Sequence, residues 1–322
     1  MRLRERMRLR ESLNGWALRL STSRLGVALV YHRIADLAGD SRYELVPALP
    51  TRVFQEQLHH LRTIYRIVPP SRLLQAALRR RRGERFPVAI TFDDDLLSHV
   101  EVVAPTLRRM RIPAGFFLCG ASIDAPHSFW WEDLQALVDH GAAARRPRLQ
   151  SAPEVDLGRA LGRVPDGIHV VAEQIEQLPP NKRDAVAAEL HSHTGESRRG
   201  LSAGEIETLA GAGFEIGFHT RRHYLLSTLD DAGLRASMDD GRERLETVIG
   251  RPLTTIAYPH GKADARVAEA ARTAGYDLGF TASVTAAGPG TDPLLIGRVE
   301  ALAVPLRQFS QTIAATLARG VL

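Results

Sequence analysis

Val88-Ala89-Ile90-Thr91-Phe92-Asp93-Asp94 is an apolar run that ends in two adjacent carboxylates. Far along the chain, Phe214-Glu215-Ile216-Gly217-Phe218-His219-Thr220-Arg221-Arg222-His223 is a second such run, ending in two imidazoles. A short apolar run bounded by polar residues reads as a buried strand. Each polar pair therefore follows the C-terminal end of a strand. The spacing of His219 and His223 predicts that both rings share one face of a helical turn. In a parallel α/β barrel the C-terminal strand ends converge on one face, where side chains distant in sequence meet. One carboxylate and two histidines make a three-ligand set with an open position, the pattern of a catalytic metal rather than a structural one. The other carboxylate is then available as a base.

The rest of the chain supports a parallel sheet. From residue 25 onward, strand-like runs alternate with helical patterns. Strands are expected at 27–31, 86–92, 114–118, 214–218, 254–258, 278–282 and 294–299. Helices are expected at 51–64 (with Thr51 as N-cap), 70–82, 100–109, 202–212, 263–274 and 305–317, with one long helix over 232–249 closed by Gly250. Residues from about 123 to 205 break the rhythm and read as a mostly helical insertion. Trp130 and Trp131 are expected to anchor it on the barrel; lining a sugar cleft is the alternative. His191 and His193 lack matching partners and read as surface residues.

These motifs resemble the polysaccharide deacetylase family, the NodB-homology or carbohydrate esterase 4 group. Residues 88–94 resemble its T-F-D-D-G motif, and 215–223 its H-[ST]-x-x-H motif. Ile256-Ala257-Tyr258-Pro259-His260-Gly261 resembles its F-A-Y-P-Y-G form, and Leu25 to Ile34 its Y-H-R-[IV] opening. The likeness runs from about residue 25 to about 305. It implies an irregular (β/α)7 TIM-like barrel over residues 25–322, after a basic N-terminal segment at 1–24. It implies a metal-dependent hydrolase that removes N-acetyl groups from amino sugars of a polysaccharide or its lipid-linked precursor. Deacylation of another N-acyl sugar or amide, or a catalytically silent carbohydrate-binding protein, is the alternative.

The resemblance also assigns roles. Asp94, His219 and His223 would hold a divalent ion, zinc first, with cobalt, nickel, iron or manganese as alternatives. Asp93 would be the base. The backbone N–H of His260 would help hold the oxyanion. Three departures stand out. Asp95 occupies a position where the family has Gly, a concern if that position needs positive φ. Ala257 stands where an arginine commonly holds the base, so Arg298, at the end of a late strand, is the candidate to orient Asp93. The late histidine of many members is missing, and His32, after the first strand, is the candidate acid.

Composition excludes several other classes. The chain has 322 residues, 44% hydrophobic and 25% charged, with net charge +5. No apolar run is long enough to span a membrane. Arg79 to Arg82 follows apolar helical positions and reads as a helix end, where cations suit the dipole; no nucleic-acid module accompanies it. Cys119 is the single cysteine, in buried-strand context. Residues 1–22 carry Arg2, Arg4, Arg6, Arg8 and Arg10 without the apolar core of a secretory signal. The expectation is a cytoplasmic protein, with the alternative of peripheral contact at the inner membrane face through an amphipathic helix at 1–22.

Overall fold

In the computed structural model, which describes residues 20–139, 148–162, 164–194 and 199–320, parallel strands form a nearly closed barrel. Counting barrel strands only, β1 (Val27–Tyr31) pairs with β2 (Pro87–Asp93) on one side and β7 (Arg298–Glu300) on the other. Strands β3 (Gly115–Leu118), β4 (Glu215–Phe218), β5 (Thr255–Ala257) and β6 (Leu278–Phe280) follow β2 in chain order. The sheet order is thus β7-β1-β2-β3-β4-β5-β6, and a short strand, Arg66–Ile67, flanks β2 outside this path. Beyond β6 the ring is drawn together by backbone bonds. Thr281 N–H donates to the Ile296 carbonyl at 2.8 Å, and Ile296 N–H donates to Gly279 at 2.9 Å.

Strand periodicity divides the core in two. Along β2, Val88, Ile90 and Phe92 pack with helix residues such as Phe54, Leu58 and Leu107. Alternate residues face the barrel interior, where Ala28, Ala89, Phe117, Ala257, Phe280 and Ile296 form a smaller cluster. Both faces are covered, so every residue of β1 and β2 is buried. Phe92 is fully buried, with ring centroids 5.4 Å from Tyr31, 5.0 Å from Phe116 and 5.9 Å from Phe54.

The helices differ from the sequence reading in instructive places. The helix expected at 70–82 ends at Leu78, after a 3-10 turn at Pro70–Arg72. The long helix expected over 232–249 is two helices, Asp231–Asp239 and Arg242–Ile249. Gly241 breaks it, with φ 81°, a left-handed conformation that glycine adopts without steric cost. The helix expected at 100–109 begins as a π-helical turn, His99–Val103, before Ala104–Met110. The strand expected over 294–299 is formally only Arg298–Glu300. Thr51 opens the helix Thr51–Ile64 but does not cap it: the N-cap is Pro50. Helices Trp130–Asp139, Gly158–Leu161, Gly167–Glu176 and Pro180–Thr194 occupy the insertion. They share a separate apolar core containing Trp130, Trp131, Leu134, Val171, Ile175 and Leu190. Of the amphipathic segment weighed at 1–22, residues 1–19 lie outside the described residues. Among the described residues, no helix is long and apolar enough to cross a membrane.

Helix Ala203–Gly211 leads into β4, and its N-terminus is fixed by a capping box between Ser202 and Glu205. Glu205 also pairs with Arg199 at 2.8 Å. The Arg199 hydrogen bonds, with help from Ser202, pull the Glu205 carboxyl down to about 2 against a smaller opposing effect of burial. That contribution is fully present above the ordinary glutamate range, about 4.3, and is lost as pH falls through the folded value. Glu205→Gln should lower Tm at pH 7, with the gap to wild type closing as melts are repeated toward pH 2. Phe92→Ala should cost about 3–5 kcal/mol in denaturant unfolding, from lost burial and the cavity left.

Candidate metal centre and cleft

The two polar pairs meet at the C-terminal end of the barrel. Asp93 is the last residue of β2, and His219 follows β4 directly. Asp93 Oδ2 lies 4.0 Å from His219 Nε2. Asp94 Oδ1 lies 3.6 Å from His219 Nε2 and 3.5 Å from His223 Nε2. One ligand atom from each of Asp94, His219 and His223 falls within a 4.8 Å group. Ligands about 2.0–2.1 Å from a shared ion at tetrahedral angles stand about 3.3 Å apart, close to the two Asp94–histidine spacings.

The protonation chemistry fits the same ion. His219 donates Nδ1–H to the Ala257 carbonyl at 2.7 Å. That bond leaves Nε2 as the lone-pair nitrogen facing Asp94. Burial, with neighbouring imidazoles, holds His223 well below the usual histidine range, and burial also lowers His219. Both rings are thus neutral donors. Asp94 is pushed well up, first by burial and then by Asp93 and Glu132. Its charge is costly without a cation beside it.

The helical turn expected for the histidine pair is not what forms. Residues 219–223 make a tight turn, with His223 N–H donating to Thr220 O at 3.3 Å and positive φ at Thr220 (57°) and His223 (49°). The rings still converge, with centroids 4.9 Å apart. Asp94 (φ 70°) and His260 (φ 58°) are also left-handed. Such backbone in non-glycine residues costs of order 1–3 kcal/mol each and gathers at functional sites. The positive φ that the sequence raised at Asp95 belongs to Asp94 instead. Asp95 turns away and accepts from the backbone N–H of Cys119 at 2.7 Å and Ala121 at 3.3 Å.

Arg298 reaches Asp93 through the barrel interior. Its Nη1 and Nη2 donate to the two Asp93 oxygens at 2.7 and 2.6 Å, a bidentate pair with both side chains buried. Arg298 stands in register with Ala28 on β1. Ala28, Ala89 and Ala257 keep that interior narrow in side-chain volume, which gives a long guanidinium room. Nε bonds the Thr281 carbonyl at 3.1 Å, and Nη1 the Thr91 hydroxyl at 3.2 Å. Burial pushes Asp93 up, but Arg298 and then His219 outweigh it and hold the carboxyl at about 2.

These residues open into a cleft of about 830 Å³. His32, His260, Asp93, Asp94, His219, His223 and Arg298 all line it. His32 is half-buried; burial, with Arg298, holds it below the usual histidine range against the pull of Asp93 and Glu300. His260 packs on His223 with centroids 4.7 Å apart, and its Nδ1 lies 3.2 Å from Glu176 of the insertion. Trp131 stacks on Phe129 at 4.4 Å and lies 4.5 Å from the His223 ring. Both tryptophans sit in the insertion's own apolar core and line the cleft, and Trp131 meets the barrel loops at the His223 ring. Sequence reasoning missed Glu132, Glu176 and Glu300. Glu132 is buried and paired with Arg33. Only its place beside the tryptophans hinted at it. His191, called a surface residue, is partly exposed but lies 3.3 Å from Asp133.

The known proteins that this chain resembles are polysaccharide deacetylases. A family model described as polysaccharide deacetylase matches residues 80–145 and 169–279. Among solved structures, the Streptococcus pyogenes deacetylase PplD, in complex with acetate, superposes with TM-score 0.59 at 16% identity, covering 90% of this chain and 98% of that one. IcaB from Ammonifex degensii gives TM-score 0.55 at 20% identity, with 91% and 98% covered. A de-N-acetylase from Aggregatibacter actinomycetemcomitans gives 0.56 at 13%, with 89% and 99% covered. At these identities the likeness speaks for the fold. No curated protein matches the chain.

Elemental analysis should find about one divalent ion per chain after zinc loading, and His219→Ala should lose it. A wild-type chain that takes up no zinc or cobalt would refute the metal centre.

Proposed function

Since the chain belongs to the polysaccharide deacetylase family, we propose that it is a metal-dependent hydrolase that removes N-acetyl groups from amino sugars of a polysaccharide or of its lipid-linked precursor. The observation that carries this is the Asp94–His219–His223 cluster beside a carboxylate, Asp93, held by Arg298 at the floor of one cleft. A divalent ion in the cluster would polarise the acetyl carbonyl and lower the pKa of water toward about 7.

The chain's own residues would do the rest. Asp93, ionised at neutral pH, takes a proton from the attacking water. Arg298 is a positioning residue: its two-pronged grip fixes the carboxylate plane. The backbone N–H of His260 is assigned to the developing oxyanion. His32, on the same cleft, is assigned to protonate the leaving amine. Trp131 offers an apolar wall at the metal centre, suited to the face of a pyranose ring. Glu173, Glu176 and Glu300 line the cleft and suit a substrate without negative charge. We place the enzyme in the cytoplasm.

The catalytically silent reading rested on Asp95, Ala257 and the missing late histidine. Against it stand the bonds of Asp95 to backbone amides, the Arg298–Asp93 pair and the place of His32 on the cleft. Removal of a different acyl group keeps the same chemistry, and a panel of N-acyl sugars separates it.

Acetate release from N-acetylglucosamine oligomers should fall about 10²–10⁴-fold in Asp93→Asn and stop with a chelator. Oligosaccharide binding without turnover at every metal loading would sink the hydrolase. His32→Asn should lower kcat; full activity would remove it as the acid. Arg298→Lys should lower kcat with little change in KM, because lysine cannot reproduce the fork.

A further inference from the structure

The opposite end of the barrel carries charge that the cleft does not use. Residues 62–85 contain eight arginines and a single carboxylate, Glu84. Seven of those arginines are exposed; Arg80 alone is buried. Arg66, Arg72, Arg79 and Arg81 surround a shallow depression of about 500 Å³. Among the described residues, no ion pair ties any of these four to a carboxylate. Glu84 instead accepts the backbone N–H of Arg81 at 3.0 Å, and Glu215 that of Ser71 at 2.9 Å.

Arg80 shows how the chain enters this face. Its guanidinium carbon lies 3.6 Å from the Phe86 ring centroid, and Nη1 donates to the carbonyls of Ser21 at 2.9 Å and Ser23 at 2.8 Å. Ser21 and Ser23 are thereby pinned beside the arginine cluster. Two large apolar side chains stand out of the same region: Leu20 is 43% exposed and Leu78 is 40% exposed. The sequence that precedes them continues the pattern, with Arg2, Arg4, Arg6, Arg8 and Arg10 among Leu3, Met7, Leu13 and Trp16.

We propose that this end of the barrel docks on an anionic lipid surface, with the arginines among the headgroups and Leu20 and Leu78 at the apolar boundary. Exposed arginines without a carboxylate partner among the described residues supply attraction, and exposed leucines beside them favour a bilayer over a polar polyanion. No aromatic residue is interleaved among Arg79, Arg81 and Arg82 to stack on bases. The docking has a consequence for orientation. Strand β2 begins at Pro87, beside this face, and ends at Asp93 in the cleft. Seven strand residues at about 3.3 Å each set the two ends about 20 Å apart. The cleft then opens away from the lipid, toward a polymer chain arriving from the aqueous side. That last step rests on the deacetylase reading; the docking does not.

The test is co-sedimentation of the full chain with vesicles of phosphatidylcholine containing roughly a third phosphatidylglycerol, at about 100 mM salt, where surface charge acts over about 10 Å. Wild type should bind these vesicles and not pure phosphatidylcholine. Combined Arg66→Gln, Arg72→Gln, Arg79→Gln and Arg81→Gln should weaken binding about a hundredfold or more, since each arginine at an anionic surface contributes roughly fivefold. The corresponding four lysine substitutions should bind as wild type, which separates lost charge from misfolding. No binding by wild type, equal binding by the glutamine variant, loss in the lysine variant, or tighter binding to duplex DNA than to the vesicles would each overturn the proposal. None of these readouts uses acetate release, so failure of the enzymatic reading leaves the result interpretable.

Discussion

The Arg298–Asp93 pair is the constraint on which the upper end of the barrel depends. It joins β7 to β2 across β1, inside a barrel whose interior there is walled by alanines and Phe117. Two buried charges are tolerable only when each satisfies the other and the remaining donors find partners. Here they do: Arg298 also bonds the Thr281 carbonyl and the Thr91 hydroxyl, and Thr91 donates to the Leu29 carbonyl at 2.7 Å. The network therefore spans β1, β2 and β7 and the segment after β6, which are the strands that draw the ring together. Removing one partner would strand a charge in the interior, at a cost of about 3–5 kcal/mol.

That pair also divides labour between the neighbouring aspartates. Asp93 is kept ionised by a cation from the barrel. Among the described residues no arginine or lysine is bonded to Asp94, and burial with the carboxylates around it, against a smaller pull from Arg33, makes its charge expensive. A left-handed backbone at Asp94 lets the two side chains point different ways despite their adjacency: one into the barrel toward β7, the other toward the histidine turn. The strain at Asp94, Thr220, His223 and His260 is the local cost of bringing three loops to one point.

The insertion contributes more than bulk. Trp130 and Trp131 belong to its core and also form part of the cleft wall, so its packing and the shape of the cleft are one problem. Glu176 near His260, and Glu132 paired with Arg33, tie it to the loops after β5 and β1. A barrel without it would leave the histidine turn open on that side.

Local signals in the sequence reached a parallel α/β sheet, and the family likeness supplied the barrel. Continuous apolar runs such as 27–31 and 88–92 are what strands buried on both faces require, and acids or imidazoles directly after them mark strand ends. The family likeness then assigned Asp93, Asp94, His219 and His223 to one site, and the geometry brings them together. Local signals misled where tertiary packing sets the backbone: the histidine spacing fits a helical face equally well, and only the loops around it impose a turn. Gly241 was readable as a breaker, yet apolar periodicity on both sides concealed the break. The reach of Arg298 to Asp93, the acids Glu132, Glu176 and Glu300, and the gathering of arginines opposite the cleft depend on contacts between segments far apart in the chain. Residue types and strand alternation determined what could stand at each position. Only closure of the barrel decided which charges would face one another, because a buried charge takes its partner from space and not from sequence.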